Sequence, residues 1–169
     1  MARCDRAHPD ARNFGLGSRD VGYAGLNALR EGMQSYSSIA TMADRWSQFA
    51  TWAKDMAAIK DMRQIETSTL RDYATHLIAR LERGEISPAT AQNALSTVNR
   101  VLEIARGDRA VRLDPVREAG LPIRSGIAAT DRAVPLSQHD HAVATVSERV
   151  AALLTLQREL GLRFEEAAK

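Results

Sequence analysis

Thr90, Asn93, Thr97 and Arg100 stand at i, i+3, i+7 and i+10, a spacing that puts all four on one face of a helix, with Gln92, Ser96 and Asn99 beside them. Side chains of these types hydrogen-bond phosphate oxygens and base edges. Asn and Gln match the adenine edge, and Arg matches the guanine edge. Glu103 is the main acidic interruption. A helix lying on a core by its other side would present the same stripe to water, so DNA contact and a solvated face both stand open from these residues alone. Ser87, just ahead of the stripe, marks a helix N-terminus, where free N–H groups favour a phosphate.

Lys54, Lys60, Arg63, Arg71, Arg80 and Arg83 collect around the ends of the second and third helices, where they can track a DNA backbone. Asp55, Asp61, Asp72, Glu82 and Glu85 are interleaved, which equally describes a surface of local ion pairs. Lys60 and Arg63, set between helices, are the better candidates for phosphate contact. Thr41 and Arg45, on the second helix, are further DNA-facing candidates. His139 and His141 are two residues apart, about 200° around a helix, so they cannot share an ion; neither a metal nor a cofactor is expected. Tyr73 falls on a buried stripe, and Tyr23 and Tyr36 are not nucleophile candidates either.

These side chains need helices to hold them, and the sequence supplies helix after helix without a convincing period-2 strand. Ser18 predicts a cap for a helix over about 19–30, weakened by Gly22, Gly25 and Gly32. Ser35, Ser37 and Ser38 open a second helix to about Lys54, with Met42, Trp46, Phe49, Ala50 and Ala53 inward. Trp46 is read as core, and Trp52 as packing at the rim or lying on DNA. Thr67 or Thr69 caps a third helix that buries Leu70, Tyr73, Leu77, Ile78 and Leu81 and stops at Gly84. Ser87-Pro88 starts a fourth, which buries Ala91, Ala94, Leu95, Val98, Val101, Leu102 and Ala105 before Gly107. Pro115, Gly120, Pro122, Gly126 and Pro135 then break the periodicity. Helix resumes at Leu136-Ser137, with Asp140 in a capping-box position, and continues as two helices or one kinked helix through Val143, Val146, Val150, Leu153 and Leu160.

Three stretches, taken in order, resemble the tyrosine recombinase (phage integrase) family. Asp44-Arg45-Trp46-Ser47-Gln48-Phe49-Ala50-Thr51-Trp52 is similar to the first aromatic-rich helix of that family's core-binding, SAM-like domain. Residues 65–100, with Gly84-Glu85-Ile86-Ser87-Pro88-Ala89-Thr90 at their turn, resemble the same domain's helix-turn-helix pattern. Gly161-Leu162-Arg163 followed by Glu166 looks like the opening of the catalytic domain. The resemblance implies that Arg163 is the first of two arginines that hold the scissile phosphate and that Glu166 supports its loop. Glu165 departs from the small or polar residue often found there. The family's lysine hairpin, His-x-x-Arg motif and nucleophilic tyrosine have no counterpart here. The expectation is a recombinase cut off just after its first active-site residue and inactive on its own. Residues before Ser35 lie outside the minimal pattern and suggest a subgroup with an enlarged amino-terminal domain.

Composition agrees with a folded, all-α chain. Apolar residues make up 44%, with five prolines and ten glycines, which excludes a disordered polymer. The net charge of +2 is a weak signal for nucleic acid, although lysine contributes only Lys54, Lys60 and Lys169 to the 23 basic residues. Cys4 is alone, so no internal disulfide forms, and without an apolar run of ~18 residues or a signal-peptide pattern a cytoplasmic location is expected. The expected organisation is a compact bundle of about four helices in a DNA-binding domain over 1–122 (1–17 flexible), a linker over 123–136, and the start of a catalytic domain over 137–169. Double-stranded DNA is the expected partner, with recombinase protomers associating on it and no membrane contact. The alternative is a stand-alone helical adaptor or regulator that binds a protein through the 136–160 helices.

Overall fold

The computed structural model describes residues 10–124 and 133–168. Cys4 and His8, most of the expected flexible head, and much of the expected linker lie outside them. The described residues form seven α-helices, two short 3-10 turns and no strand, and the chain divides into one compact unit up to residue 125 and another from residue 126.

In the first unit, α1 (Val21–Gly32) is capped by Asp20, whose carboxylate accepts the Tyr23 N–H at 2.9 Å. Ser18 is not the cap; its hydroxyl accepts the Asp20 N–H one turn too early to reach the helix. The glycines read as weaknesses have a packing role. A Cβ on Gly25 would stand 1.9 Å from the Trp46 indole nitrogen, and one on Gly32 would stand 2.7 Å from the Ile104 side chain. Glycine therefore lets α1 lie close on α2 (Tyr36–Ala57) and α4 (Pro88–Arg106), at a helix-propensity cost of about 1 kcal/mol each. Trp46 closes the first contact by donating its indole N–H to the Val21 carbonyl at 3.1 Å.

Ser35 caps α2, which runs three residues beyond its expected end to a left-handed Ala58. Its 22 residues span about 33 Å. Phe49 meets Trp46, Trp52 and Tyr73, with the Tyr73 ring edge-on at 4.9 Å. Trp52 packs at the rim of this cluster, between Phe49, Tyr73 and His76. Burial pushes the Tyr73 phenol up to about 12, which suits a core ring and not a nucleophile.

Glu66, rather than a threonine, is the N-cap residue of α3 (Thr67–Glu82); the Thr69 hydroxyl reaches back to accept the Glu66 N–H at 3.3 Å. Leu70, Tyr73 and Leu77 are buried, while Ile78 and Leu81 are half-buried. Ser87 caps α4 with Pro88 at its first position, and a left-handed Gly107 ends it. This helix is the centre of the unit, packed against α1, α2 and α3. Residues 109–124 then fold back. The Asn99 side chain accepts the Leu113 N–H at 3.1 Å and donates to the Leu113 carbonyl at 2.8 Å, seating a fully buried Leu113.

The second unit holds α5 (Leu136–Thr145), α6 (Glu148–Leu160) and the single turn α7 (Phe164–Ala167). The break at Val146-Ser147 makes two helices. The Ser137–Asp140 box does not form: α5 already begins at Leu136, with the Gln138 and His139 N–H groups on the Pro135 carbonyl. None of the three helices buries a residue, and Leu136, Val150, Leu156, Leu160 and Phe164 are exposed. No helix among the described residues is long and apolar enough to cross a membrane.

Candidate nucleic-acid interface

The structure divides the polar stripe of α4. Thr90 is exposed, its hydroxyl 2.9 Å from that of Ser87 at the helix start. Thr97 is 2% exposed and belongs to the core, correcting its assignment to the DNA-facing side. Because α4 has neighbours on three sides, its buried arc is wider than the apolar residues alone mark. The Thr97 hydroxyl tolerates burial by donating to the Asn93 carbonyl one turn back, at 2.8 Å. Asn93 and Arg100 are half-buried. Asn93 accepts from Arg124 at 3.4 Å, and Arg100 pairs with Glu103 at 3.1 Å. Gln92 donates to the Pro122 carbonyl, and Asn99 holds Leu113. Much of this side of α4 is the seat of residues 109–124.

The cations separate in the same way. Arg63 is taken: its guanidinium holds the Asp61 carboxylate at 2.6 Å and the Asp10 carbonyl. Burial raises the Asp61 pKa, but the Arg63 side chain and the Asn13 and Arg63 N–H groups outweigh it and bring the carboxyl down to about 2. Arg80 and Arg83 both bind Glu85, whose pKa they lower by those hydrogen bonds, Arg83 foremost. Lys54 and Lys60 are exposed and make no ion pair among the described residues. They line a cleft of about 300 Å³ together with Arg12 and Arg19, two arginines that are not among the sequence candidates.

The outer face of α2 has no such cover. Ser37, Thr41, Asp44, Gln48 and Thr51 recur at spacings of three and four and are all exposed, while Arg45 beside them is half-buried. Thr41 donates its hydroxyl to the Ser37 carbonyl at 2.9 Å, leaving its lone pairs outward. Among the candidates, Thr41, Lys60, Ser87 and Thr90 are exposed and bond to no carboxylate among the described residues, with Asp44 on the same face as Thr41.

In the second unit, left-handed Gly161 ends α6 and Arg163 is the residue from which α7 starts. Glu166 closes the turn from both sides: its carboxylate accepts the Arg163 N–H at 2.8 Å, and its own N–H donates to the Arg163 carbonyl at 3.0 Å. The Arg163 side chain is exposed and makes no ion pair among the described residues. The turn fixes the Arg163 backbone, and its free guanidinium offers five donors in a fork suited to a phosphate. His139 approaches the Leu154 carbonyl at 3.3 Å and Asp140 at 3.5 Å, and no metal-holding group of His, Cys, Asp or Glu occurs among the described residues. Comparison of the chain with protein-family models, curated proteins and solved structures finds no match.

Proposed function

We propose that this chain is the DNA-binding portion of a site-specific tyrosine recombinase acting in integration or excision, with the opening of the catalytic domain attached. The observation that carries the reading is the Arg163 turn. A left-handed glycine, an exposed arginine with no ion pair among the described residues, and a glutamate that fixes the arginine's backbone suit a phosphate ligand. In such an enzyme Arg163 stabilises the charge that builds on the nonbridging oxygens at the transition state, while the first unit holds the DNA site. The uncovered face of α2, with Thr41, Gln48 and Thr51, is the favoured base-reading surface, because α4 spends much of its polar side on its own chain. The exposed apolar residues of α5 to α7 suit contact with protein, as protomers meeting on DNA require.

The test is fluorescence anisotropy of the full chain on duplex DNA across a salt series. Binding should weaken with a log–log slope of about −0.9 per phosphate neutralised, and a nicked suicide substrate should yield no covalent adduct. In a recombinase that carries this sequence, Arg163→Ala should cut strand cleavage by roughly 10²–10³ while site binding stays near normal. Near-normal cleavage would show the Arg163 turn to be unrelated to chemistry. The same exposed apolar residues favour a second reading, a helical adaptor. Salt-insensitive binding to a protein with no DNA affinity would select it.

A further inference from the structure

We infer that the cleft between the amino-terminal segment and the end of α2 is a phosphate-binding site. Arg12, Arg19, Lys54 and Lys60 line it, with Asp20 as the one carboxylate on its wall. That leaves three net positive charges around about 300 Å³, enough to receive a phosphate with its water. None of the four cations pairs with a carboxylate among the described residues, in contrast to Arg63, Arg80, Arg83, Arg100, Arg106 and Arg109, which all do. Asp20 is itself committed, accepting the Tyr23 N–H at the start of α1.

The cleft is also built rather than incidental, since its two walls come from residues nearly fifty positions apart and are tied by a buried network. Asn13 is wholly buried; its side chain accepts the Met62 N–H at 2.7 Å and donates to the Ser18 carbonyl at 2.8 Å, and its own N–H reaches Asp61 at 2.9 Å. Asn13 and Phe14 both adopt left-handed backbone, with φ of 50° and 55°, a strained choice that the network holds in place. Arg12 then bridges the walls, donating to the Lys60 carbonyl at 2.9 Å and the Arg19 carbonyl at 3.2 Å while it makes no ion pair among the described residues. The network fixes the backbone of both walls and the Arg12 guanidinium, while Arg19, Lys54 and Lys60 line the same cleft with free side chains that can close on a phosphate. The site gives the residues ahead of α2 a role: they complete a backbone-phosphate contact of the DNA partner. This assignment of the phosphate's source rests on the function proposed above; the site itself does not.

The test uses the full chain carrying Arg19→Ala and Lys54→Ala together, since both side chains are exposed and make no side-chain hydrogen bond among the described residues. The control is Arg83→Ala, whose charge Glu85 already takes. Unchanged circular dichroism and thermal midpoint establish folding. On duplex DNA the double variant should bind about tenfold more weakly and flatten the salt slope by about 0.9 for each phosphate it no longer neutralises, with the control near wild type. A parallel titration with pyrophosphate should show millimolar binding to wild type that the double variant abolishes. Wild-type DNA affinity and slope in the double variant, with unaltered pyrophosphate binding, would overturn the site and leave the proposed function standing. Pyrophosphate binding abolished in the double variant, in a protein that binds no DNA, would support the site and overturn DNA as the source. Wild type binding neither probe would overturn the site outright.

Discussion

Asp61→Asn is the substitution whose outcome the structure fixes most closely. The carboxylate is 8% exposed and accepts four hydrogen bonds, from the Asn13 and Arg63 N–H groups and from two nitrogens of the Arg63 guanidinium. Burial alone would raise its pKa; those donors reverse the effect and carry it from 3.8 to about 2. A depressed carboxylate contributes stability that is complete above its unfolded pKa and is lost as pH falls through the folded one. At 1.36 kcal/mol per unit, the contribution is about 2 kcal/mol at pH 7; about half survives at pH 3 and a few tenths at pH 2. Asparagine keeps the shape and one acceptor but has no charge to titrate. Urea denaturation followed by tryptophan fluorescence should therefore show the variant about 2 kcal/mol less stable at pH 7, with the gap halved at pH 3. Glu85, Glu103, Asp108 and Asp114 are also held below their ordinary values, so both proteins weaken in acid, and only the difference between them isolates Asp61. A gap that stays constant from pH 7 to pH 3 would refute the charge argument and leave hydrogen-bond geometry as the cause. A gap under about 0.5 kcal/mol at pH 7 would place Asp61 among the ion pairs that contribute nothing measurable.

Gly25→Ala should destabilise by about 2 kcal/mol or more despite alanine's better helix propensity, because the new methyl would stand 1.9 Å from the Trp46 ring and force the indole off the Val21 carbonyl; urea midpoints and the tryptophan emission maximum report it. Asn99→Ala should cost about 2 kcal/mol and expose residues 109–124 to limited proteolysis, since Leu113 loses partners for both its N–H and its carbonyl. Thr97→Val should leave DNA affinity unchanged because the side chain is buried, whereas Gln48→Ala on the open face of α2 should reduce discrimination between specific and random duplex by about 1–3 kcal/mol in competition anisotropy.

How much of the fold is legible in the sequence depends on the range of the interaction behind each feature. Ser35, Ser87, Pro88 and Gly107 act on their own helix ends, and each end falls where that local chemistry puts it. Gly25 and Gly32 read as defects in α1 because their value lies in Trp46 and Ile104, residues that sequence proximity does not connect to them. Thr97 has the same origin. A face four residues wide is polar by type, yet the number of helices packed around α4 decides how much of it is surface. Ser18 and Asp20 differ by two positions and both suit a cap; the distance to the Tyr23 amide chooses between them.

The candidate site shows a finer version of the same limit, and a rule for improving on it. Arg63, Arg83, Arg100 and Arg106 are as basic and as polar in setting as Lys60, yet each is neutralised by a carboxylate two or three residues away: Asp61, Glu85, Glu103 and Asp108. Arg19, Lys54 and Lys60 have their nearest carboxylate directly next in sequence, at Asp20, Asp55 and Asp61. Adjacent side chains diverge by about 100° on a helix and alternate on extended chain, so an immediate neighbour rarely reaches back to pair, whereas residues two to four apart often do. Sorting the basic residues by that spacing sets Arg19 and Lys54 beside Lys60 and moves Arg63 into the group of ion pairs. It misplaces Arg12, which stays unpaired with Asp10 two residues away, and Arg109, which pairs with Glu103 six residues away. The convergence of the free charges on one cleft stays hidden from such sorting, because it depends on Asn13 meeting Asp61 and Met62 across nearly fifty residues. Spacing sorts the pairs made within one turn; only the fold decides the longer pairs and which free charges face the same ligand.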